Sequence, residues 1–98
     1  MEINISENDR KILFSLFKKH LPDIKIWAYG SRINHSNRPN SDLDLVAFIE
    51  KKDAAKIADF KEICDESNLT FPIDIHIWNE IPTQFHEVIL KNHIQLQS

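Results

Sequence analysis

The chain has 98 residues, of which 42% are apolar, and its 12 basic and 15 acidic residues give a net charge of −3. A chain of this size predicts one domain over residues 1–98 with a small core, and its acidic balance argues against direct binding of nucleic acid. A single cysteine excludes an intramolecular disulfide and a zinc site built on several cysteines.

The first half of the chain predicts one long helix and two strands. Ser6 is expected to cap a helix that ends near His20. The β-branched and aromatic residues of 24–29 predict the first strand, and a polar loop over 33–41, beginning with a short helical turn, follows it. Residues 42–49 begin as an alternation and finish as a solid apolar run, which is typical of a strand with its tip at a cleft and its body buried.

The second half predicts two helices and two strands. Residues 53–67 carry apolar side chains at helical spacing, and residues 71–78 alternate as a strand does. Pro82 is expected to open a last helix, and a short edge strand is expected over 94–97. The order of these elements predicts an α+β domain of two layers, in which helices pack on a mixed sheet. The residues expected on the inner side of the last helix are Phe85, Val88 and Ile89.

Three aspartates are candidate metal ligands. Asp42 and Asp44 are two residues apart on a strand, so their carboxylates point to the same face, and a cation would relieve their repulsion. Hard divalent cations such as Mg²⁺ prefer carboxylate oxygens and often share them with substrate phosphates. Asp74 supplies a third carboxylate from another strand, between Ile73 and Ile75, where an aspartate costs stability unless it is paired or liganded.

The turn after the first strand is a candidate phosphate site. Gly30 lets the backbone approach an anion closely, the Ser31 hydroxyl adds a donor, and Arg32 offers a bidentate fork for a phosphate. Gly30 is also the only glycine of the chain, which excludes the P-loop and dinucleotide-binding fingerprints.

Each of these features also has a purely structural explanation. An Asp-x-Asp pair is common in solvated turns, Gly-Ser-Arg is common in plain turns, and Asp74 could be an edge-strand residue that faces water. Their occurrence together and in this order, each at the end of a strand or within one, favours a catalytic site. The residues expected to be structural are His76 (packed or on the surface), His20, His86 and His93 (surface), Cys64 (core), and Trp27 and Trp78 (core or interface).

The combined signature resembles that of the nucleotidyltransferases of the DNA polymerase beta superfamily. In that superfamily Gly-Ser is followed, after a short interval, by Asp-x-Asp and by a third acidic residue on a later strand. Here ten residues separate Ser31 from Asp42, and Asp74 lies thirty residues beyond Asp44. The chain is most similar to the minimal nucleotidyltransferases, small proteins encoded beside a helical HEPN-domain partner.

The resemblance implies a role for each motif residue. Asp42 and Asp44 would bind two Mg²⁺ ions, and Asp74 would share one of them and could deprotonate the acceptor hydroxyl. Ser31, with the Gly30 backbone, would hold the β- and γ-phosphates of ATP. Attack on the α-phosphorus would then release pyrophosphate. The residue expected to assist at the phosphates is Arg32.

The resemblance also implies a partner. AMP would be transferred to a hydroxyl, that of a tyrosine, on the HEPN-domain protein, which would silence a toxic RNase and make this chain an antitoxin in a hetero-oligomer. The alternative is a catalytically weak or silent module that neutralises its partner by forming a complex. Members of the family often have a second glycine near position 35, where this chain has His35. A side chain there would narrow the triphosphate site or donate to it.

The cytoplasm is the expected location. The longest uninterrupted apolar run, Leu45 to Ile49, is far shorter than the roughly 20 residues that a membrane-spanning helix needs. The start of the chain lacks the basic and apolar parts of a signal peptide. We therefore expect no association with a membrane.

Overall fold

The computed structural model describes residues 3–98, and each helix and strand expected from the sequence is present with its ends shifted by two residues or fewer. The α+β fold class is confirmed, as a mixed sheet with helices packed on it. Within residues 3–98 no helix is long and apolar enough to cross a membrane. In chain order the elements are α1 (Glu7–His20), β1 (Lys25–Tyr29), α2 (Ser31–Asn34), β2 (Leu43–Phe48), α3 (Ala54–Asp65), β3 (Ile73–Ile77), α4 (Thr83–Lys91) and β4 (Ile94–Gln97).

The four strands form one sheet in the order β3-β2-β1-β4. β1 is antiparallel to both β2 and β4, whereas β2 and β3 are parallel. The parallel pair needs a crossover, and the segment that contains α3 supplies it. This topology places β2 between the strand that ends at the Gly30 turn and the strand that carries Asp74.

One face of the sheet packs against α1 and α3 and forms the core. The alternating residues of β2 and β3 that face it are almost fully buried, as the period of a strand requires. The rings of Phe17 in α1 and Phe60 in α3 stack with their centroids 5.7 Å apart, which joins the two helices above the sheet. Cys64 belongs to this core, as expected.

The opposite face of the sheet carries an aromatic cluster that holds α4. Trp27 and Trp78 pack edge to face, with their centroids 5.7 Å apart. His86 stacks on Trp78 at 3.9 Å and His93 stacks on Trp27 at 3.7 Å. The expectation that both histidines are surface residues was therefore wrong, because flat imidazole rings here fill the position that apolar side chains usually take.

The inner side of α4 also differs from the expectation. Ile89 is buried, but Phe85 and Val88 are 53% and 63% exposed. His86 and Ile89 lie three residues apart and occupy the stripe that faces the sheet, so the neighbouring stripe with Phe85 and Val88 is turned outward. The apolar spacing correctly predicted a helix, but it did not identify the face that would be covered.

Asp9 is a buried carboxylate that connects α1 to the segment before β3. It is 3% exposed and accepts hydrogen bonds from the backbone N–H and the hydroxyl of Thr70, at 3.0 and 2.6 Å. The Ser6 hydroxyl donates to it at 2.8 Å. Burial alone would raise the pKa of Asp9, but the hydrogen bonds from Thr70 and Ser6 and the charge of Arg32 outweigh burial and lower it.

We expect Asp9→Ala to destabilise the fold by about 2 kcal/mol, because the buried N–H of Thr70 loses its acceptor, and to lower the melting temperature by roughly 10 °C. Because folding lowers the pKa of Asp9, its contribution is present above about pH 3.8 and is lost as the pH falls further. Thermal unfolding from pH 7 to pH 3 measures both effects. Asp59→Ala, at an exposed position of α3, is the control, and an equal loss in both variants would contradict the assignment.

Candidate active site

The aspartates of β2 and β3 lie side by side. In the parallel pairing of these strands Asp44 is directly opposite Asp74, and residues in register on neighbouring strands point to the same face. Asp42 lies one residue before β2 and is exposed. The sheet thus brings the carboxylates of Asp44 and Asp74 together at one edge of the aromatic face.

Electrostatic strain is concentrated on Asp44. Burial, together with the negative charges of Asp74 and Asp42, raises the pKa of this half-buried carboxyl to about 6, while the charge of His76 acts in the opposite direction. A group of carboxylates that resists ionisation in this way favours a cation, because a cation removes the repulsion.

His76 contacts the site directly. Its Nε2 atom lies 3.0 Å from Oδ1 of Asp74, and the two side chains are 45% and 40% exposed. The expectation that His76 is a packed or surface residue is therefore incomplete, because the side chain is on the surface and also holds a candidate catalytic carboxylate. The alternation of β3 already placed both side chains on one face.

Tyr29 is a site residue that the sequence did not single out. It pairs with Asp44 across the antiparallel strands, so its ring lies on the face that carries the carboxylates. Burial raises the pKa of Tyr29 to about 12, with the charges of Asp44 and Asp74 adding to the effect, so the phenol stays protonated at neutral pH. The position of Tyr29 immediately before Gly30 was the feature of the sequence that could have indicated its place in the site.

Gly30 is required by its neighbour Asp44. Its φ angle is 86°, which side chains rarely adopt. A Cβ atom placed on Gly30 would overlap Oδ2 of Asp44 and lie 3.2 Å from its Cγ. The absence of a side chain therefore lets the turn and the carboxylate approach each other, and it brings the candidate phosphate site next to the candidate metal ligands.

Ser31 is the first residue of α2, and Gly30 is its N-cap. The first amides of a helix have no intrahelical acceptor, so the turn presents donors together with the half-buried Ser31 side chain. The turn thus remains a candidate phosphate site. His35 ends α2 with a φ angle of 57°, a left-handed conformation that glycine adopts most easily. The backbone thus gives a reason for a glycine near this position, and the His35 side chain is exposed.

Arg32 does not occupy the place expected of a phosphate ligand. It is 4% exposed, and its guanidinium donates to the backbone carbonyls of Asn4, Pro39 and Ser41 at 2.9 to 3.0 Å. It also lies 4.1 Å from the ring centre of Phe71. The guanidinium therefore fastens the loop before β2 to the N-terminal segment, and we assign it a positioning role.

We expect Arg32→Lys to destabilise the fold by about 2 kcal/mol, because an ammonium cannot reproduce the fork of donors that reaches these carbonyls. The melting temperature without nucleotide would fall by roughly 10 °C. Arg38→Lys, at an exposed position of the same loop, should leave it unchanged. An unaltered melting temperature together with a higher KM for ATP would contradict the positioning role and support Arg32 as a phosphate ligand.

The carboxylates fit Mg²⁺ in their chemistry. Asp42, Asp44 and Asp74 offer only oxygen ligands, which hard divalent cations prefer, and Asp44 lies directly opposite Asp74 in the sheet. Among residues 3–98 no three His, Cys, Asp or Glu side chains already converge on a single point in the manner of a finished metal site. Coordination would therefore require side-chain rotation around the fixed strands.

Comparisons with known proteins identify the family of the chain. The family described as Polymerase beta, Nucleotidyltransferase matches residues 11–98. A protein of Haemophilus influenzae named "Probable protein adenylyltransferase MntA" is 29% identical over 97 residues, which cover 98% of this chain and 85% of that protein. A crystal structure described as a toxin-antitoxin with AMP-PNP has the same fold, with a TM-score of 0.71 and 17% identity over 96% of this chain and 74% of that one. Since the family match spans nearly the whole chain, the protein belongs to the polymerase beta nucleotidyltransferase family.

Proposed function

We propose that the protein is a Mg²⁺-dependent protein adenylyltransferase that transfers AMP from ATP to a tyrosine hydroxyl of a HEPN-domain toxin and so acts as its antitoxin. The observation that carries the proposal is the register of Asp44 opposite Asp74 beside the Gly30 turn. The similarity to a protein named as an adenylyltransferase supports the reaction. The structural neighbour, described as a toxin-antitoxin with AMP-PNP, supports a nucleotide of the ATP type and a toxin partner.

The residues of the turn and of β2 hold the nucleotide. Ser31 and the Gly30 backbone bind the β- and γ-phosphates through hydrogen bonds, because the first amides of α2 point out of the helix. Asp42, Asp44 and Asp74 would hold two Mg²⁺ ions, which when bound would neutralise the carboxylates and stabilise the charge on the attacking and leaving oxygens. Tyr29 lies directly opposite Asp44 on the neighbouring strand, beside the proposed nucleotide site.

Asp74 accepts the proton of the acceptor. His76 contacts the Asp74 carboxylate, and an oxygen of this carboxylate takes the proton from the attacking hydroxyl. The new bond joins the hydroxyl oxygen to the α-phosphorus, and the bond between the α-phosphorus and the bridging oxygen breaks. Pyrophosphate leaves with that oxygen, and the partner keeps AMP.

The test uses ATP labelled at the α- or the γ-phosphate, Mg²⁺ and the toxin encoded by the neighbouring gene. We expect label from the α-phosphate alone on the toxin, no label with Asp44→Asn, and full label with the control Asp59→Asn. Label that persists with Asp44→Asn would contradict the assignment. If no label forms and Asp44→Asn still neutralises the toxin, the protein acts by forming a complex.

A further inference from the structure

An apolar groove lies beside the carboxylates. None of the proposed steps of AMP transfer uses it. We call it the α4 groove. It measures about 470 Å³, within the range of known ligand sites, and lies between the end of β1, β3 and α4. The residues that define it are Tyr29, His76, Glu80, Ile81, Phe85 and Val88.

The wall that α4 contributes to the groove is apolar and exposed. Phe85 and Val88 are 53% and 63% exposed, and their spacing of three residues places them side by side on the helix. Ile89, which also lines the groove, is 2% exposed, so the floor is anchored in the fold. Adjacent apolar side chains at the edge of a depression are typical of a surface that binds another molecule.

The groove leads to the carboxylates from one side only. Two of its residues belong to the site, because Tyr29 lies opposite Asp44 and His76 contacts Asp74. Gly30 and Ser31 do not line it. In an in-line displacement the attacking and leaving oxygens lie on opposite sides of the phosphorus. With the phosphates at the Gly30 turn, the acceptor would arrive from the side of Asp74, and His76, which contacts Asp74, lines the groove.

The charge of the groove indicates what it can bind. Glu80 is its acidic residue, and Asp74 and Asp44 lie next to its inner end. Over the residues that the structure describes, its lining contains no lysine or arginine. A segment that combines apolar side chains with a lysine or arginine would match this surface in both shape and charge.

We propose that the α4 groove binds the segment of the partner protein that carries the acceptor hydroxyl, through apolar side chains on Phe85 and Val88 and a basic residue beside Glu80. The proposal rests on the proposed function and adds the surface that selects the acceptor. A nucleobase is a poorer match, because most of the residues that line the groove are apolar and have no donor or acceptor that could read the edge of a base.

The test compares Phe85→Glu and Val88→Glu with Leu90→Glu. Leu90 is 52% exposed on the same helix but does not line the groove, so it controls for the added charge. The probe is the toxin encoded by the neighbouring gene. For the two groove variants we expect its Kd and its KM as acceptor to rise by at least about tenfold relative to Leu90→Glu. The thermal shift produced by AMP-PNP with Mg²⁺ should be the same in all three.

A charge reversal tests the second part of the proposal. Glu80→Lys should weaken toxin binding by at least about fivefold at low salt and by less at high salt, because the attraction it removes is screened. Glu66→Lys, at the exposed C-terminal cap of α3, makes the same change in net charge away from the groove and should leave the Kd unchanged. Equal effects of the two reversals would overturn the role of Glu80.

Three results separate the proposals. If the wild-type protein transfers AMP and the groove variants behave like Leu90→Glu, the docking surface is refuted while the proposed function stands. If the groove variants lose the AMP-PNP shift and keep the toxin affinity, the groove holds the nucleotide and the docking proposal fails. If the wild-type protein transfers no AMP, the proposed function fails, and the Kd of the toxin still decides whether the groove is a docking surface.

Discussion

Gly30→Ala is expected to reduce nucleotidyl transfer by at least about a hundredfold, because a displacement of about 1 Å at reacting groups has an effect of that size. The new Cβ atom would overlap Oδ2 of Asp44, so either the turn or the carboxylate must move. Both belong to the proposed site, the turn as candidate phosphate-binding element and the carboxylate as candidate metal ligand. The measurement is the rate of transfer of α-labelled AMP at saturating ATP.

The same substitution should also destabilise the fold. The φ angle of Gly30, 86°, places it in a region that costs other residues about 2 kcal/mol, and the overlap with Asp44 adds to this cost. Ser31→Ala, one residue further on, leaves the backbone free and serves as the control for the fold.

A double-mutant cycle separates the two causes. Asp44→Ala removes the atoms that the new Cβ would strike, although the φ cost remains. Gly30→Ala should therefore lower the melting temperature less in the Asp44→Ala background than in the wild-type protein. Equal losses in the two backgrounds would show that the Asp44 carboxylate does not contact the Gly30 turn. The close approach of the candidate metal ligand to the candidate phosphate site would then be refuted.

Asp44→Asn is expected to abolish transfer and, at neutral pH, to stabilise the fold. Loss of a metal ligand removes several kcal/mol of transition-state stabilisation, which corresponds to at least about a hundredfold in rate. Burial and the neighbouring carboxylates raise the pKa of Asp44 to about 6, so the ionised form destabilises the folded state. Solvent screens part of this effect because Asp44 is half-exposed. We therefore expect the free energy of unfolding of Asp44→Asn to exceed that of the wild-type protein by about 1 kcal/mol at pH 7.5.

The sign of the pH dependence follows from the direction of the shift. Between about pH 3.8 and 6 the folded protein keeps a proton on Asp44 that the unfolded chain has released. The wild-type protein therefore loses stability as the pH rises through this window, and Asp44→Asn should lose less. Thermal unfolding without divalent cations measures the difference, with Asp59→Asn as the control. A melting temperature of Asp44→Asn below that of the wild-type protein at pH 7.5 would refute the inference that the ionised Asp44 carboxylate destabilises the fold.

The sequence by itself determined the elements, the fold class and the family. Apolar spacing identified each helix and strand because period 3.6 and period 2 are local properties of the chain. The alternation of β3 placed Asp74 and His76 on one face and the isoleucines of the strand on the other. The interval between the Gly30 turn and Asp44, taken with Asp74, was enough to indicate the nucleotidyltransferase family, to which the chain belongs.

Only the tertiary structure decided which elements meet. The register of Asp44 against Asp74 arises from pairing between strands far apart in the chain, and no local period encodes it. Arg32 is a charged residue in the short helix α2, and its burial depends on carbonyls that come from two separate segments. The face of α4 that lies on the sheet depends on two stacked histidines, which spacing alone could not distinguish from surface residues. Local sequence fixes the direction of each side chain within its element, whereas long-range packing fixes its neighbours.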